Sequence, residues 1–309
     1  MAVLNLVIGL LGLVAGAELS VRGALGLARH WGWPSWLTGL LLLALGTSLP
    51  ELFVSGMAAP EHPELSFGNI FGSNAFNVGL VFGFGLLMVG RKGLPAAGWR
   101  GPGAIALVAA SILAAWALGE GGQPPIWLGV VLLAGYGFVV RNALRGGRLE
   151  TAGVEREIEP NPGLKAVVMI AGFALLAWAS NRFLSGALVV AADFGWSDGF
   201  AGYLIAAIGT SAPELFTSVQ AIRKGHPEAV YGNVLGSNVF NLLVVGGVSS
   251  VLAGAPLAAA TVQPQLWANL AATAALLALA PFARAGRGGR ATGAGLVVVY
   301  LVGTWLVQG

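Results

Sequence analysis

Two glutamates sit where a charge is costly. Glu51 lies in GTSLPELFVS, from Gly46 to Ser55, and Glu214 lies in GTSAPELFTS, from Gly209 to Ser218, each inside a long apolar run. An ionisable group in such a run marks a functional site by default, because lipid does not solvate it. In both copies Pro precedes the Glu, at Pro50 and Pro213. Pro has no N–H, so the carbonyl four residues earlier, that of Gly46 or Gly209, loses its helical partner. In an apolar medium that oxygen needs another electropositive group, and a bound cation would serve. Thr47 and Glu51 are four residues apart and share a helix face, as do Thr210 and Glu214. The spacing predicts that each copy gathers a freed carbonyl, the hydroxyls of Thr47 and Ser48 or of Thr210 and Ser211, and a carboxylate within about one helical turn.

A second block follows each of these. GNIFGSNAFN (Gly68 to Asn77) places Asn69, Ser73 and Asn77 at spacings of four, and GNVLGSNVFN (Gly232 to Asn241) repeats this with Asn233, Ser237 and Asn241. Each set is one polar stripe on an otherwise apolar helix. Every candidate ligand is a hard oxygen. The chain has no Cys, so disulfide and thiolate sites are excluded, and His30, His62 and His226 fall near the ends of apolar runs. Oxygen-only sites suit Ca²⁺, Na⁺ and Mg²⁺ rather than Zn²⁺ or Cu⁺, and two glutamates match one Ca²⁺ in charge. Taken singly, Ser55, Ser218, Asn69 and Asn233 read as helix-packing residues. His62-Pro63-Glu64 and His226-Pro227-Glu228 read as helix starts, and Glu18 and Arg22, four apart, as a mutually neutralising pair.

The elements that must hold these residues are membrane spans. Of 309 residues, 56% are hydrophobic and 9% charged, against roughly a quarter charged in a soluble domain. Mean hydropathy is +0.80. A helix crosses the hydrocarbon core with about 20 apolar residues. Such runs predict an all-α membrane protein of about ten transmembrane helices, near 3–28, 36–58, 67–90, 103–119, 125–141, 164–190, 199–222, 230–253, 265–282 and 291–307. The one long polar segment, Arg141 to Gly163, mixes charge with Gly and Pro and reads as a linker. It sets the boundaries: a first five-helix half over 1–141, a linker over 142–163 and a second half over 164–309.

The halves are repeats. Gly23-Ala24-Leu25 matches Gly186-Ala187-Leu188, and Glu51 matches Glu214, at an offset of 163 that becomes 164 from His62 onward. Five spans is an odd number, so the second half must enter the membrane inverted. With loops placed alternately on two sides, one side receives Arg29, Arg91, Lys92, Arg100, the linker bases, Arg223, Lys224, Arg284, Arg287 and Arg290, and the other receives no loop Lys or Arg. The basic side is expected in the cytoplasm and both termini outside. The net charge of +3 follows this orientation pattern rather than marking a nucleic-acid binder. Trp33, Trp36, Trp99, Trp127, Trp196 and Trp305 fall near span ends, as interfacial anchors do. No basic stretch precedes the first apolar run, so no cleavable signal peptide is expected.

The blocks GTS-x-PE and GN-x-x-GSN-x-FN, each present twice and in order, resemble the two alpha-repeats of the cation/calcium exchanger superfamily, especially its compact prokaryotic sodium/calcium exchangers. The resemblance implies ten helices in two inverted repeats with an ion site among the second, third, seventh and eighth. It implies Glu51 and Glu214 as central Ca²⁺ ligands, Thr47, Ser48, Thr210, Ser211, Ser73 and Ser237 as further Ca²⁺ or Na⁺ oxygens, and Asn77 at the centre. Asn241 stands where members of the family often carry Asp, which leaves two carboxylates and opens the choice of coupling ion. The linker is too short for a calcium-sensing domain of the larger members. The expected function is a secondary antiporter in the cell membrane exchanging Ca²⁺ for Na⁺, with proton-coupled exchange as the alternative. Neither a cofactor nor a nucleic-acid or obligatory protein partner is expected beyond the lipid bilayer and the transported ions. A channel would need a continuous pore, which suits this arrangement less than an occluded site. A membrane hydrolase would need a catalytic dyad, and no His stands near Ser48 or Ser211 in the sequence.

Overall fold

A computed structural model describes residues 1–30, 35–90, 100–117, 122–146, 161–223, 228–279 and 289–308. Among them run ten helical segments, labelled here α1 (Ala2–His30), α2 (Ser35–Ala58), α3 (Pro63–Val89), α4 (Arg100–Ala117), α5 (Ile126–Gly146), α6 (Pro162–Phe194), α7 (198–223), α8 (228–252), α9 (Ala259–Leu279) and α10 (Gly289–Gln308). Each predicted span has its helix. Trp33, Trp99, Arg91, Lys92, Lys224, His226, Arg284, Arg287 and most of the predicted linker lie outside the described residues. Five segments, among them α3 and α6, contain stretches both long and apolar enough to cross a bilayer on length and composition alone.

The packing of α1 on α6 fixes the relation between the halves. A Cβ added to Gly9 would stand 2.6 Å from the backbone nitrogen of Phe183, and one on Gly172 would stand 2.5 Å from that of Ser20. Likewise Gly23 faces the backbone of Met169, and Gly186 that of Leu6. Along these pairs the numbers rise on α1 as they fall on α6, so the two helices are antiparallel. Gly9 and Gly172, like Gly23 and Gly186, are equivalent positions 163 residues apart. Equivalent helices running antiparallel, with reciprocal contacts, define a pseudo-two-fold axis between inverted halves. Glycine serves here because without a Cβ the backbones meet directly, which holds helices together where no hydrophobic effect is available.

The outward faces are apolar. Leu4, Leu11, Val167, Ile170, Trp127 and Trp305 are among the exposed large side chains, as a lipid-facing surface requires. Glu18 and Arg22 do pair on α1, with Arg22 Nε 2.5 Å from Glu18 Oε1. Inside, α3 is almost wholly enclosed, and Phe67, Phe71, Phe76 and Phe82 are buried along its length.

Chain punctuation places α3 and α7. His62 precedes Pro63 in the first turn of α3, so this copy of His-Pro-Glu is a helix start. At the end of α6, Gly195 takes φ +67°, while Trp196 N–H donates to the Ala191 carbonyl and Gly195 N–H to that of Ala192. This is a Schellman turn, whose left-handed position favours glycine. Ser197 Oγ then accepts from Phe200 N–H at 3.2 Å and caps α7. His62 Nδ1 lies 2.8 Å from Asp198 Oδ2, which ties the starts of α3 and α7 together.

Candidate cation site

The matched blocks meet at the centre of the fold. Thr47, Ser48 and Glu51 come from α2, Ser73 and Asn77 from α3, Thr210, Ser211 and Glu214 from α7, and Ser237 and Asn241 from α8; all ten are buried. The glutamates are completely enclosed, at 0% exposure. Each carboxylate is held by the opposite half. Ser211 Oγ–H donates to Glu51 Oε1 at 2.8 Å, and Ser48 Oγ–H donates to Glu214 Oε1 at 3.2 Å. Glu214 Oε1 also accepts from Ser237 at 3.3 Å. Spacing alone predicts each hydroxyl beside its own glutamate, one turn away. Instead α2 and α7 cross antiparallel at the axis, and each Ser reaches across to the other half's carboxylate.

The flanking residues repeat the pattern. Asn69 Oδ1 accepts from Thr210 at 3.2 Å and Ser73 at 3.4 Å, while its Nδ2 donates to Ser55 at 2.8 Å. In the other half Asn233 Oδ1 accepts from Thr47 at 3.5 Å, and its Nδ2 donates to Ser218 at 3.2 Å. Thr47 also lies 3.4 Å from Ser237, and Thr210 3.4 Å from Ser73. Asn69 and Asn233, which read singly as packing residues, therefore hold the hydroxyls that surround the glutamates.

Two residues escape the sequence reading altogether. Asn74 and Asn238 lie inside the quoted blocks, between the Ser and the last Asn. Each donates its amide to the other's backbone carbonyl at 3.2 Å. Each also accepts from the neighbouring central amide: Asn77 Nδ2 donates to Asn238 Oδ1 and Asn241 Nδ2 to Asn74 Oδ1, both at 3.1 Å. Their duplication, at an offset of 164, was the available signal. At Asn77 and at Asn241 the helix also widens into a π-helical turn, over Asn77–Phe82 and Asn241–Val245, a feature that recurs at functional sites.

What remains unpaired defines the chemistry. Glu51 Oε2, Glu214 Oε2, Asn77 Oδ1 and Asn241 Oδ1 are buried without a hydrogen-bond partner. Leaving a buried acceptor unsatisfied costs about 1–3 kcal/mol, more for a charged one. The four fall in two equivalent pairs, one from each half. The central amides have already given N–H bonds to Asn238 and Asn74, so oxygen is what they have left to offer. Two carboxylate oxygens and two amide oxygens, with hydroxyls around them, fit a hard cation. Among the described residues no cluster of three or more His, Cys, Asp or Glu occurs, so the donor set is two carboxylates with neutral oxygens.

The comparisons with known proteins bear on the whole chain. The sodium/calcium exchanger protein family matches it twice, over residues 1–144 and 164–308. The chain belongs to the sodium/calcium exchanger family. This exchanger-family chain is 32% identical over 295 residues to the putative antiporter CaxA of Alkalimonas amylolytica, covering 89% of this chain and 88% of that one. To the inner membrane protein YrbG of Escherichia coli it is 32% identical over 263 residues, covering 80% and 78%. Its fold is similar to a solved structure of the sodium-calcium exchanger NCX_Mj soaked with Na⁺ and no Ca²⁺, with a TM-score of 0.66, 26% identity and 97% of each chain covered. The two matches leave residues 145–163 between them.

Proposed function

We propose that this exchanger-family chain is a secondary antiporter that moves Ca²⁺ against Na⁺ through the site between α2, α3, α7 and α8. The observation that carries the reading is the set of unpaired buried oxygens, on Glu51, Glu214, Asn77 and Asn241, gathered from both halves at the axis. Glu51 and Glu214 supply the charged ligands. Thr47, Ser48, Ser73, Thr210, Ser211 and Ser237 fix those carboxylates and lend further oxygens as the ion or ions change. A flexible set of 6–8 oxygens suits Ca²⁺, and the same oxygens taken in smaller groups suit Na⁺. Family membership and the likeness to NCX_Mj support the exchange reading. Opposing rocking of the two halves would expose the site to one face at a time.

The basic loops and linker 142–163 are proposed to face the cytoplasm, with both termini outside, and the halves to run over 1–141 and 164–309. The test of coupling is Ca²⁺ uptake into proteoliposomes loaded with Na⁺, set beside vesicles loaded with choline under an imposed pH gradient. Uptake driven by Na⁺ is expected. Uptake driven by the pH gradient and not by Na⁺ would make the protein a proton-coupled exchanger.

A further inference from the structure

We propose that the second half carries a separate binding site for an uncharged glycosyl group, at the mouth of a polar seam between α7, α9 and α10. The site lies outside the exchanger reading and does not depend on it. A cavity of about 340 Å³ forms where the starts of α7 and α9 meet the end of α10, with Trp196, Phe200, Thr261, Gln265 and Val307 in its wall. That volume falls within the range of small-ligand pockets, roughly 300–1,000 Å³. Gln265 is only 1% exposed, and its Oε1 is buried without a hydrogen-bond partner.

Unpaired polar atoms continue inward from the cavity. Asn269, one turn after Gln265 on α9, is completely enclosed, and both its Oδ1 and its Nδ2 lack partners. The hydroxyls of Tyr203 on α7 and Tyr300 on α10 also meet no partner in hydrogen-bond geometry, although Thr304 stands near both. Glycines bring the three helices together here. A Cβ on Gly199 would stand 2.9 Å from Gln265 Nε2, and one on Gly303 would stand 3.7 Å from the Tyr203 hydroxyl and 3.4 Å from Cβ of Ala268, the neighbour of Asn269. Buried amides and hydroxyls of this kind are satisfied by water or by a ligand. The seam is not part of the repeat. At an offset of 164, Gly101 stands for Gln265 and Ile105 for Asn269. A need of the scaffold would have left polar residues in both halves, so these mark something the second half does alone.

The wall chooses the ligand. No Asp, Glu, Lys or Arg lines the cavity, and nearby Asp198 is paired with His62. A phosphate would find no basic side chain there, and a cation no carboxylate. Thr261 Oγ1 donates to the Ala258 carbonyl, and Ser197 Oγ accepts from Phe200 N–H. That leaves Thr261 and Gln265 with oxygens that accept, and Ser197 with an O–H that donates. A hydroxyl both gives and takes, so it complements all three. Trp196 packs edge-on against Phe200, with ring centroids 5.0 Å apart, and adds an aromatic wall. A sugar ring carries hydroxyls on its rim and C–H groups on its faces, which suits polar groups set beside aromatic rings. Trp305 and Leu306, exposed on α10 just before Val307, put the mouth next to lipid, so a glycolipid head group and a free sugar are both sources of this chemistry.

The test is thermal unfolding of the protein in an amine-oxide detergent, which has no sugar head, with glucosyl diacylglycerol, diacylglycerol or glucose added. Saturating glucosyl diacylglycerol should raise the melting temperature by several degrees, and diacylglycerol should not. A rise with glucose as well assigns the site to the sugar itself, and a rise with the lipid form alone assigns it to a glycolipid head. Gln265→Leu should lose the sugar-dependent rise, yet melt no lower than the parent without ligand, because it removes an unpaired buried oxygen. Ala260→Trp, at an exposed position in the cavity wall, should fill the mouth and lose the rise too; it decides the matter if Gln265→Leu does not fold. An equal rise with diacylglycerol, no rise with either sugar-bearing probe, or a rise retained in Gln265→Leu overturns the proposal. No step measures flux, so the exchanger reading stands or falls separately.

Discussion

At the scale of single residues, the proposed cation site would work by what each side chain has left over after its internal bonds are made. Glu51 spends Oε1 on Ser211 and keeps Oε2, and Glu214 spends Oε1 on Ser48 and Ser237 and keeps Oε2. A Gln at either position retains the shape and the accepting oxygen, but it removes a negative charge and would turn an N–H₂ donor toward the proposed cation. Removing one partner from a buried charged group costs about 3–5 kcal/mol, or at least roughly 100-fold in ion affinity. Glu51→Gln and Glu214→Gln are each expected to abolish Ca²⁺ transport at concentrations that saturate the parent protein. The melting temperature of either variant without Ca²⁺ should not fall, because the mutation also removes an unpaired buried charge. Normal Ca²⁺ flux in a variant that folds would make that glutamate structural. Both glutamates were plain in the sequence, since a carboxylate beside Pro in an apolar run costs more than helix packing could return. Asn74 and Asn238 were not, because a fourth polar position on a small-residue helix looks like packing until the partner across the axis is known.

At the scale of elements, one motif gives two conformations. α2 runs unbroken through Pro50. In α7 the helix stops at Thr210, Ser211 takes φ −88° and ψ 6°, and Pro213 falls in the first turn of the stretch Ala212–Arg223, where its missing N–H costs nothing. A π-helical turn at Gly202–Ala206 precedes this break. Spacing within GTS-x-PE could not reveal the difference, because both copies read alike; the surroundings of each helix decide it. Cross-half partners were hidden for a similar reason. An i, i+4 rule describes one helix, whereas Ser48 and Glu214 are brought together by the crossing of two helices that lie far apart in the chain. The halves also meet through bare backbones where α1 packs on α6. Gly172→Val would drive a Cβ to 2.5 Å from the Ser20 backbone nitrogen, whereas a Cβ on Gly137 meets nothing within 4 Å. Overpacking of this kind costs about 1–3 kcal/mol or more. Gly172→Val should therefore lower the detergent-solubilised melting temperature by several degrees and reduce transport, with Gly137→Ala close to the parent in both. Equal melting of the two variants would mean that the α1–α6 contact yields easily.

At the scale of the whole molecule, the fold is one half used twice in opposite senses, and orientation becomes a matter of which face collects the basic loops. Inversion was legible from an odd span count, and the antiparallel register of α1 on α6 supplies its geometric form. Facing direction is a separate question, since a pseudo-two-fold axis in the membrane plane makes the two faces nearly alike in backbone. Charge breaks the tie. Arg100, Arg141, Arg145, Arg223 and Arg290 belong to helix ends on one face in the alternating order, together with most of the chain's remaining Lys and Arg in the segments beyond them. The ends on the other face, where Glu64 and Asp198 begin α3 and α7, carry acidic groups instead. Positive residues in short loops resist translocation, so the basic face is expected in the cytoplasm. The chain contains no Cys, which makes single-cysteine labelling clean. An impermeant thiol reagent applied to intact cells should label Gln308→Cys and spare Leu149→Cys, and permeabilisation should expose the second. Labelling of Leu149→Cys alone in intact cells would place the basic face outside. The acidic face would then be the cytoplasmic one, and the two ion routes would exchange sides while the site at the axis stayed the same.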